Sequence, residues 1–409
     1  MSTRRLAAVV DLEISNPIPP QVDARHGNAQ VLLRLHGRPL GFAAGRLDRG
    51  RLDLEPLFRD ILEHHSHILA APLVDRALAI GVAPEWPEVR SLLECRPSTL
   101  SCTPAVTVAV RSSGDPAALR RCLDSLDAMD YRALDVVIID GESADTRAIP
   151  ECRGEVLIVM DDSVVLDRGW VGAAVRVFVA DPEAMAVTGL VLPRRLATGT
   201  IAHSILERRW HRGPATLVQQ GHPFVAAFWR SALEKLSGDT PETVASGESS
   251  VACGFSLSIE QLLAAGHTVV YEPAALAWHA SQLVADPLED QPLPASAPAV
   301  RRVDLADTPR SILDATGEQT LRLEVSWEGR AVGTVEIAHR GTVVSPFRIQ
   351  AAIARQLGWD VLDTRLRLGR AAVGAILTSE LARHLLAHRD STRPAKACPL
   401  FAAPRPAAA

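Results

Sequence analysis

Two adjacent carboxylates, Asp161 and Asp162, directly follow the apolar run VLIVM at residues 156–160. Such a run is typical of a buried strand, and open α/β sheets bind their ligands just past the carboxyl ends of such strands. Carboxylate oxygens are also the ligands that hard divalent cations prefer. The pair therefore predicts a ligand or cation site at this strand end, although the next residue is the neutral Ser163. The alternative, which stays open, is a structural role: the two acids would lie in a solvated turn and at the start of the following helix.

Strands and helices alternate around this point of the sequence. The patterns predict strands at residues 106–110, 134–140, 154–162 and 185–192, and helices at 116–126 and 170–180. This alternation is typical of an α/β fold with a mostly parallel, doubly wound sheet.

A second group of candidate metal ligands lies in the predicted helix at residues 55–69. It comprises Glu63, His64, His65 and His67, of which Glu63 and His67 share one helix face. Side chains of these types are able to bind a metal ion. A polar helix face in contact with solvent is the favoured alternative, because the pattern offers no further ligand.

The segments that flank the central region resemble each other. Residues 10–12 match residues 303–305, residues 37–41 match residues 329–333, and Pro56 matches Pro346. Each segment predicts a strand, a hairpin and a helix, and one such unit is too small to bury a core alone. We therefore expect two repeated small α+β modules that pack on each other or on one face of the central domain. Two independent caps are the alternative.

The 409 residues are enough for two or three domains. We predict the first module at 1–69, a proline-rich connector at 70–104, a central domain at 105–281, a linker at 282–300, the second module at 301–390 and a disordered tail at 391–409. The net charge of -5 gives no reason to expect a nucleic-acid partner. No apolar run is long enough to cross a bilayer, and the six cysteines lack zinc-site spacing, so a cytoplasmic location is expected.

Residues 105–280 resemble glycosyltransferase family 2, whose members are nucleotide-sugar enzymes of the GT-A fold. The resemblance rests on several phrases in the family's order: PAALRRCL at residues 116–123, VVIID with Ser143 and Asp145, GEVLIVMDDSVVLDRGW at 154–170, VTG at 187–189 and YEP…WH at 271–279. The flanking modules resemble segments that accompany such domains in some actinobacterial proteins.

The resemblance implies a nucleotide-sugar site and a divalent cation, Mn²⁺ or Mg²⁺, on the donor diphosphate. It places Ser112, Asp140 and Asp161 at the nucleotide sugar. The metal positions of the family correspond to Asp161, Asp162, Ser163 and His279. A nucleoside diphosphate or a nucleotide sugar is thus the implied ligand, and a protein partner is the second kind of partner that we expect.

Several positions depart from the family's pattern. Ser163 stands where the last metal-binding acid is expected, and residues 253–258 carry no acid at the position of the general base. Glu248 and Glu260 are the nearest substitutes for that base. The loop at residues 112–116 lacks the family's Asn and Arg. The span between Asp145 and Gly154 is too short for the strand and helix that the family places there.

Two functional hypotheses follow. The favoured one is a catalytically degenerate relative that acts as a binding or partner subunit in a glycosylation or biosynthetic pathway, because the departures fall on the functional edge while the core phrases survive. The alternative is an active inverting glycosyltransferase that moves a sugar from a nucleotide-sugar donor to a hydroxyl acceptor with a divalent metal. The sequence therefore leaves open whether the chain is an enzyme.

Overall fold

A computed structural model describes fourteen parts of the chain. These are residues 6–20, 27–80, 93, 103–140, 153–193, 195–197, 216–217, 225–233, 259, 261–279, 298–307, 309–315, 320–339 and 343–389. The predicted tail at 391–409, the short span at 141–152 and most of the predicted linker at 282–300 lie outside these residues. The predicted domain boundaries stay predictions.

The N-terminal segment is a small sheet followed by helices. Its elements are strands β1 (Leu6–Glu13), β2 (Asn28–Leu35), β3 (Arg38–Asp48) and β4 (Arg51–Leu52), and helices α1 (Leu54–Asp60) and α2 (Ala70–Ile80). Strand β1 pairs parallel with β2, which pairs antiparallel with β3. The α1 helix begins at its cap Asp53, whose side chain accepts a hydrogen bond from the Glu55 amide. A π-helical turn, Ile61–His65, and a 3₁₀ turn, Ser66–Leu69, lead into α2.

Helix α2 occupies residues that the sequence assigned to a proline-rich connector. Leu73, Val74, Ala77 and Leu78 recur at helical spacing and are buried. A face of this kind forms a helix when it has an apolar surface to cover. The prolines that suggested a connector lie mostly beyond Ile80, at positions 84, 87, 97 and 104.

The central region holds a mixed eight-stranded sheet. Its strands are β5 (Val106–Ser112), β6 (Leu134–Asp140), β7 (Val156–Asp161), β8 (Val164–Leu166), β9 (Ala184–Pro193), β11 (Thr216–Leu217), β12 (Val225–Trp229) and β13 (Thr268–His279); β10 (Arg195–Ala197) joins the N-terminal sheet instead, beside β1. Helix α3 (Pro116–Asp127) follows β5, and α4 (Trp170–Ala180) follows β8. The order of the sheet is β11-β13-β9-β12-β7-β5-β6, with β8 paired to β13.

The prediction of a mostly parallel sheet holds for five of its eight described strands, because β5, β6, β7, β9 and β13 run in one direction. Strand β5 is parallel to β6 and β7, and β13 is parallel to β9. Strand β12, however, enters between β7 and β9 and runs antiparallel to both. Its sequence, VAAFW, is a short apolar run that does not show its direction. The sheet is therefore mixed, and the α/β class holds in this coarser form.

The C-terminal segment repeats the pairing of the N-terminal one. It consists of β14 (Ala299–Asp304), β15 (Thr320–Trp327), β16 (Arg330–Ala338), α5 (Pro346–Leu366) and α6 (Arg370–Arg389). Strand β14 is parallel to β15, and β15 is antiparallel to β16. In both segments the hairpin has one register shift at the same place, between Leu33 and Arg34 and between Val325 and Ser326.

A carboxylate holds the hairpin turn in each segment. Glu13 accepts hydrogen bonds from the amides of His36 (2.7 Å) and Gly37 (2.8 Å). Asp304 accepts from the amides of Glu328 (3.0 Å) and Gly329 (2.8 Å). All four turn residues have positive φ, as a two-residue type I′ turn requires.

These contacts correct the alignment drawn from the sequence. Glu13, and not Asp11, occupies the position of Asp304. At the helix start, Asp53 and Ser345 are the equivalent caps, so Leu54 corresponds to Pro346. The glycine match of residues 37–41 with 329–333 agrees with the observed strand register.

One apolar core joins the two flanking segments. Leu12, Leu33 and Leu73 of the first segment share it with Leu323, Ile353 and Leu381 of the second, among others. Gly358 of α5 lies so close to α2 that a Cβ atom there would sit 3.2 Å from the Ala71 nitrogen. The His384 imidazole lies 2.9 Å from the carbonyl oxygen of Ile14.

The outer faces of the two small sheets differ. In the first sheet Leu32 and Phe42 are buried against the central sheet, where they share a core with Leu190 and Trp278. The register places Glu324 and Thr334 at the same positions in the second sheet, whose strand β15 alternates buried and exposed residues. An outer face that is charged has no apolar surface to dock, so only the first sheet packs face-on against the central domain.

Buried arginines of both flanking segments lie near carboxylates at the two ends of α4. Arg34 binds Asp167, three residues before α4, through Nη1 (2.8 Å) and Nη2 (2.9 Å), and it also binds Asp11. Burial alone lowers the pKa of Arg34, but the two carboxylates outweigh it and raise the pKa. At the other end, burial raises the pKa of Asp181, and the nearby Arg348 guanidinium opposes that shift.

We expect replacement of Leu32 by Glu, the residue at the equivalent position of the second sheet, to destabilise the protein severely. The unpaired carboxylate would be buried between two sheets, which costs about 3 kcal/mol or more. The matched control is Glu324→Leu on the exposed face, for which a change within about 0.5 kcal/mol is expected. Thermal unfolding measures both, and similar Tm values for the two variants would contradict the assigned packing.

The turn contacts of Asp304 predict a pH-dependent contribution to stability. Hydrogen bonds from the Ala306 and Gly329 amides, above all, lower the pKa of Asp304 to about 2. Because the folded pKa lies below the unfolded one, the contribution is present above about pH 4 and is lost as the pH falls towards 2. We expect Asp304→Ala to cost about 1 kcal/mol at pH 7 and progressively less on acidification. The control is Asp307→Ala, and a pH-independent loss for Asp304→Ala would contradict this role.

Candidate functional site

The described strands bring the predicted edge residues into register. In neighbouring parallel strands Arg111 lies opposite Asp161, and Ser112 lies opposite Asp140. The carboxyl ends of β5, β6 and β7 therefore meet at one edge of the sheet, as the sequence predicts for Ser112, Asp140 and Asp161. Asp140 ends the outer strand, where Val136 and Ile138 are exposed.

Asp161 forms a close ion pair with Arg111. Nε and Nη2 of the guanidinium lie 2.7 and 2.5 Å from the same carboxylate oxygen, Oδ1. Only 9% of the Arg111 side chain and 17% of the Asp161 side chain are exposed. Burial raises the pKa of Asp161, Arg111 opposes this shift, and the neighbouring charge of Asp162 adds to it. The guanidinium thus supplies a positive charge where the carboxylate is least solvated.

Asp162 is a structural acceptor inside the edge. It is 2% exposed, and its Oδ2 accepts hydrogen bonds from the Ser113 amide (2.7 Å) and the Ser113 hydroxyl (2.9 Å). The Asp162 amide donates to the carbonyl oxygen of Arg111 at 3.1 Å. Cys122 lies nearby, where burial first and then the charges of Asp162 and Asp161 raise the pKa of its thiol to about 12.

Several hydrogen-bond donors of the loop before α3 are bound to acceptors of the chain itself. The Ser113 donors bind Asp162, the Gly114 amide donates to the Ser112 hydroxyl, and the Asp115 carboxylate caps the helix at the Ala117 amide. A helix start of this kind attracts anions through its amide groups. Here two internal carboxylates occupy that role, which leaves the loop without these donors for a phosphate group.

His279 is brought near the acids by the pairing of β13 with β8. It lies opposite Val164, the second residue after Asp162, and it is buried. Ser163, which lies between Asp162 and Val164 in sequence, is half-buried in the turn that joins β7 to β8. The base candidates Glu248 and Glu260 lie outside the described residues, so their roles stay predictions.

In the second group of candidate metal ligands, at residues 63–67, the two adjacent histidines lie beside a carboxylate that precedes the group. The carboxylate of Asp60 lies 3.0 Å from His64 Nδ1 and 3.5 Å from His65 Nε2, at the start of the π-helical turn. The sequence analysis missed Asp60, although its spacing of four residues from His64 is a recognisable helix pair. Within the described residues no group of three or more His, Cys, Asp or Glu side chains has metal-binding geometry.

The donor set at the Asp161–Asp162 edge does not fit a divalent cation. Mg²⁺ and Mn²⁺ require several oxygen ligands around one point. Asp161 Oδ1 already accepts two guanidinium donors, and Asp162 Oδ2 already accepts two donors from Ser113. A cation that approached these oxygens would meet the positive charge of Arg111 and would have to displace the loop contacts.

Arg111 is the functional-edge residue that sequence reasoning missed. It ends the run VTVAVR, so an arginine follows five buried positions of β5. Arginine is almost never fully buried unless it is paired, and this was the available signal. The partner could not be predicted, because the sequence does not state that β5 and β7 are adjacent.

Comparisons with known proteins gave matches among solved structures. A mannosyltransferase from Pyrobaculum calidifontis, in complex with GDP-Man and Mn²⁺, is 18% identical; the match covers 55% of this chain and 70% of that one, with a TM-score of 0.34. GalNAc-T7 with UDP, GalNAc and Mn²⁺ is 12% identical, with 48% and 46% covered and a TM-score of 0.34. Residues 1–349 of TarS from S. aureus are 11% identical, with 43% and 60% covered and a TM-score of 0.32.

All three solved structures are of glycosyltransferases or related enzymes by their names, and all three match with TM-scores below 0.5. At such low identities and TM-scores they do not define what this chain binds or does. No family model and no curated protein matches the chain. Of the helices in the described parts, none has the length and apolar character needed to cross a membrane.

We expect Asp162→Ala to destabilise the edge. The substitution would remove the acceptor of the Ser113 amide and hydroxyl at a position that is 2% exposed, which costs about 1–2 kcal/mol. Ser163→Ala is the matched control in the same turn, with an expected change within about 0.5 kcal/mol. Thermal unfolding gives the two differences, and amide hydrogen exchange of residues 106–118 should be faster only in the Asp162 variant. Unchanged exchange would contradict the role assigned to Asp162.

Proposed function

We propose that this chain is a glycosyltransferase-like protein without transferase activity, which acts as a binding or partner subunit in a glycosylation or biosynthetic pathway. The observation that carries the proposal is the internal use of both edge acids: Asp161 by Arg111 and Asp162 by Ser113. The two carboxylates that would hold a cation on a donor diphosphate are engaged in the structure of the edge itself.

The chemistry of sugar transfer explains why this matters. Negative charge develops on the departing diphosphate and needs a held cation or equivalent donors. The acceptor hydroxyl also needs a base within hydrogen-bond reach, which typically supplies about 10²–10⁴-fold in rate. Ser163 replaces one acid, and the loop donors of Ser113 are bound to Asp162. The described edge therefore lacks support for the leaving group.

A retained ligand of this subunit would be a nucleoside diphosphate or a nucleotide sugar. The register that places Ser112 beside Asp140 supports this part of the proposal, because both positions correspond to the nucleotide side in the resembled family. Binding would be weak, since the diphosphate side offers few unengaged donors.

An active inverting transferase is the second candidate. The observation that supports it is that His279 lies opposite Val164, the second residue after Asp162. Glu248 or Glu260 would then act as the general base, and a divalent cation would have to replace the Arg111 contact at Asp161.

The deciding experiment measures release of nucleoside diphosphate from UDP- and GDP-sugars, with a panel of hydroxyl acceptors. We expect no release above that of Asp161→Asn, either with Mn²⁺ or with a chelator. Calorimetry with UDP and GDP tests for retained binding. Rapid release that Glu248→Gln or Glu260→Gln abolishes would refute the proposal and establish the enzyme.

We also infer that the two flanking segments are copies of one structural unit. Their common strand pairing, the shared register shift and the turn-holding carboxylates Glu13 and Asp304 support this inference. The interval from the hairpin glycine to the helix cap is the same in both, from Gly37 to Asp53 and from Gly329 to Ser345.

A further inference from the structure

We propose that the Arg111 guanidinium is a built-in replacement for a divalent cation at the edge formed by Asp161 and Asp162. The wild-type edge then has no site for Mn²⁺ or Mg²⁺, and its structure does not depend on either ion. This inference is independent of whether the chain transfers a sugar, because a transferase that works without a metal would also have no cation site at this edge.

The backbone places the guanidinium with little freedom. Arg111 and Asp161 lie opposite each other on adjacent parallel strands, in the interior of the sheet between β6 and β12. The Arg111 carbonyl oxygen also accepts the hydrogen bond of the Asp162 amide. One residue of β5 therefore contacts both acids, through its side chain and through its backbone.

The charges at the edge favour this assignment. Asp161 and Asp162 are adjacent and poorly solvated, and the charge of Asp162 disfavours the charge of Asp161. A buried carboxylate needs an opposite charge or strong donors close by. Arg111 meets that need at Asp161 with two contacts to one oxygen, and Ser113 meets it at Asp162.

A divalent cation and this guanidinium exclude each other. A cation on the Asp161 carboxylate would lie beside the guanidinium that is bound to Oδ1, and two positive charges repel each other strongly at a site that excludes most water. Arginine keeps its charge at every physiological pH, so it never vacates the position by losing a proton. Removal of the guanidinium should therefore leave Asp161 Oδ1 able to bind a cation, while Ser113 still holds Asp162 beside it.

The test compares Mn²⁺ binding in the full-length wild type, Arg111→Met and Arg111→Lys. Methionine has a similar length without charge, and lysine keeps the charge. Titration with Mn²⁺, followed by electron paramagnetic resonance, should show no saturable site in the wild type or in Arg111→Lys up to about 1 mM, the weak end of protein cation sites. Arg111→Met should gain one site, and its Tm should rise with Mn²⁺ relative to EDTA.

The double variant Arg111→Met/Asp161→Asn identifies the location of the gained site. It should fold, because both buried charges are removed together, and it should lose the Mn²⁺ binding of the single variant. Saturable Mn²⁺ binding in the wild type that protects its Tm would overturn the proposal. A folded Arg111→Met that gains no site would also overturn it.

If Arg111→Met does not fold, the double variant and the wild type decide the matter. The proposal requires that the Tm of each of these two proteins is the same in Mn²⁺ as in EDTA. If Mn²⁺ raises the Tm of the wild type and not that of the double variant, the proposal is refuted. Transfer activity that persists in EDTA would refute the proposed function while leaving the replacement of the cation by Arg111 intact.

Discussion

Burial of charge is the constraint on which the rest of this structure depends. Poorly solvated carboxylates lie where the flanking segments meet the two ends of α4, and an arginine lies near each. Arg34 reaches Asp167 from the first small sheet, and Arg348 lies near Asp181 from the second segment. A buried ion pair adds little net stability, but loss of either partner costs about 3–5 kcal/mol. The Arg34–Asp167 pair therefore acts mainly as a fixed point that defines how the first segment sits on α4.

The same constraint explains the central edge. Asp161 and Asp162 occupy a place where open sheets usually meet a ligand, yet the chain supplies the counter-charge and the donors itself. An edge completed internally is rigid and needs no ion to fold. Under the proposed function, it is also less able to follow the changes in charge that accompany a reaction.

Local patterns allowed much of the fold to be predicted. Helix α4 was predicted at its observed bounds, and the hairpin of β2 and β3 was predicted around His36 and Gly37, because periodicity and turn chemistry are local properties. The antiparallel direction of β12 and the packing of α2 depend on partners far away in sequence. The position of the acid pair could be predicted from the local pattern of its strand. Its partner Arg111 could not, because that contact depends on which strands are adjacent.

The core shared by the two flanking segments also constrains how the chain folds. His384 and Ile14, which are in contact, are separated by 370 positions in sequence. During synthesis the first small sheet therefore emerges long before helices α5 and α6, which complete its apolar core. Contacts of such high sequence separation form slowly, because a long loop must close first. The apolar side of β1 and β2 thus remains a surface for chaperones or aggregation until the last helices leave the ribosome.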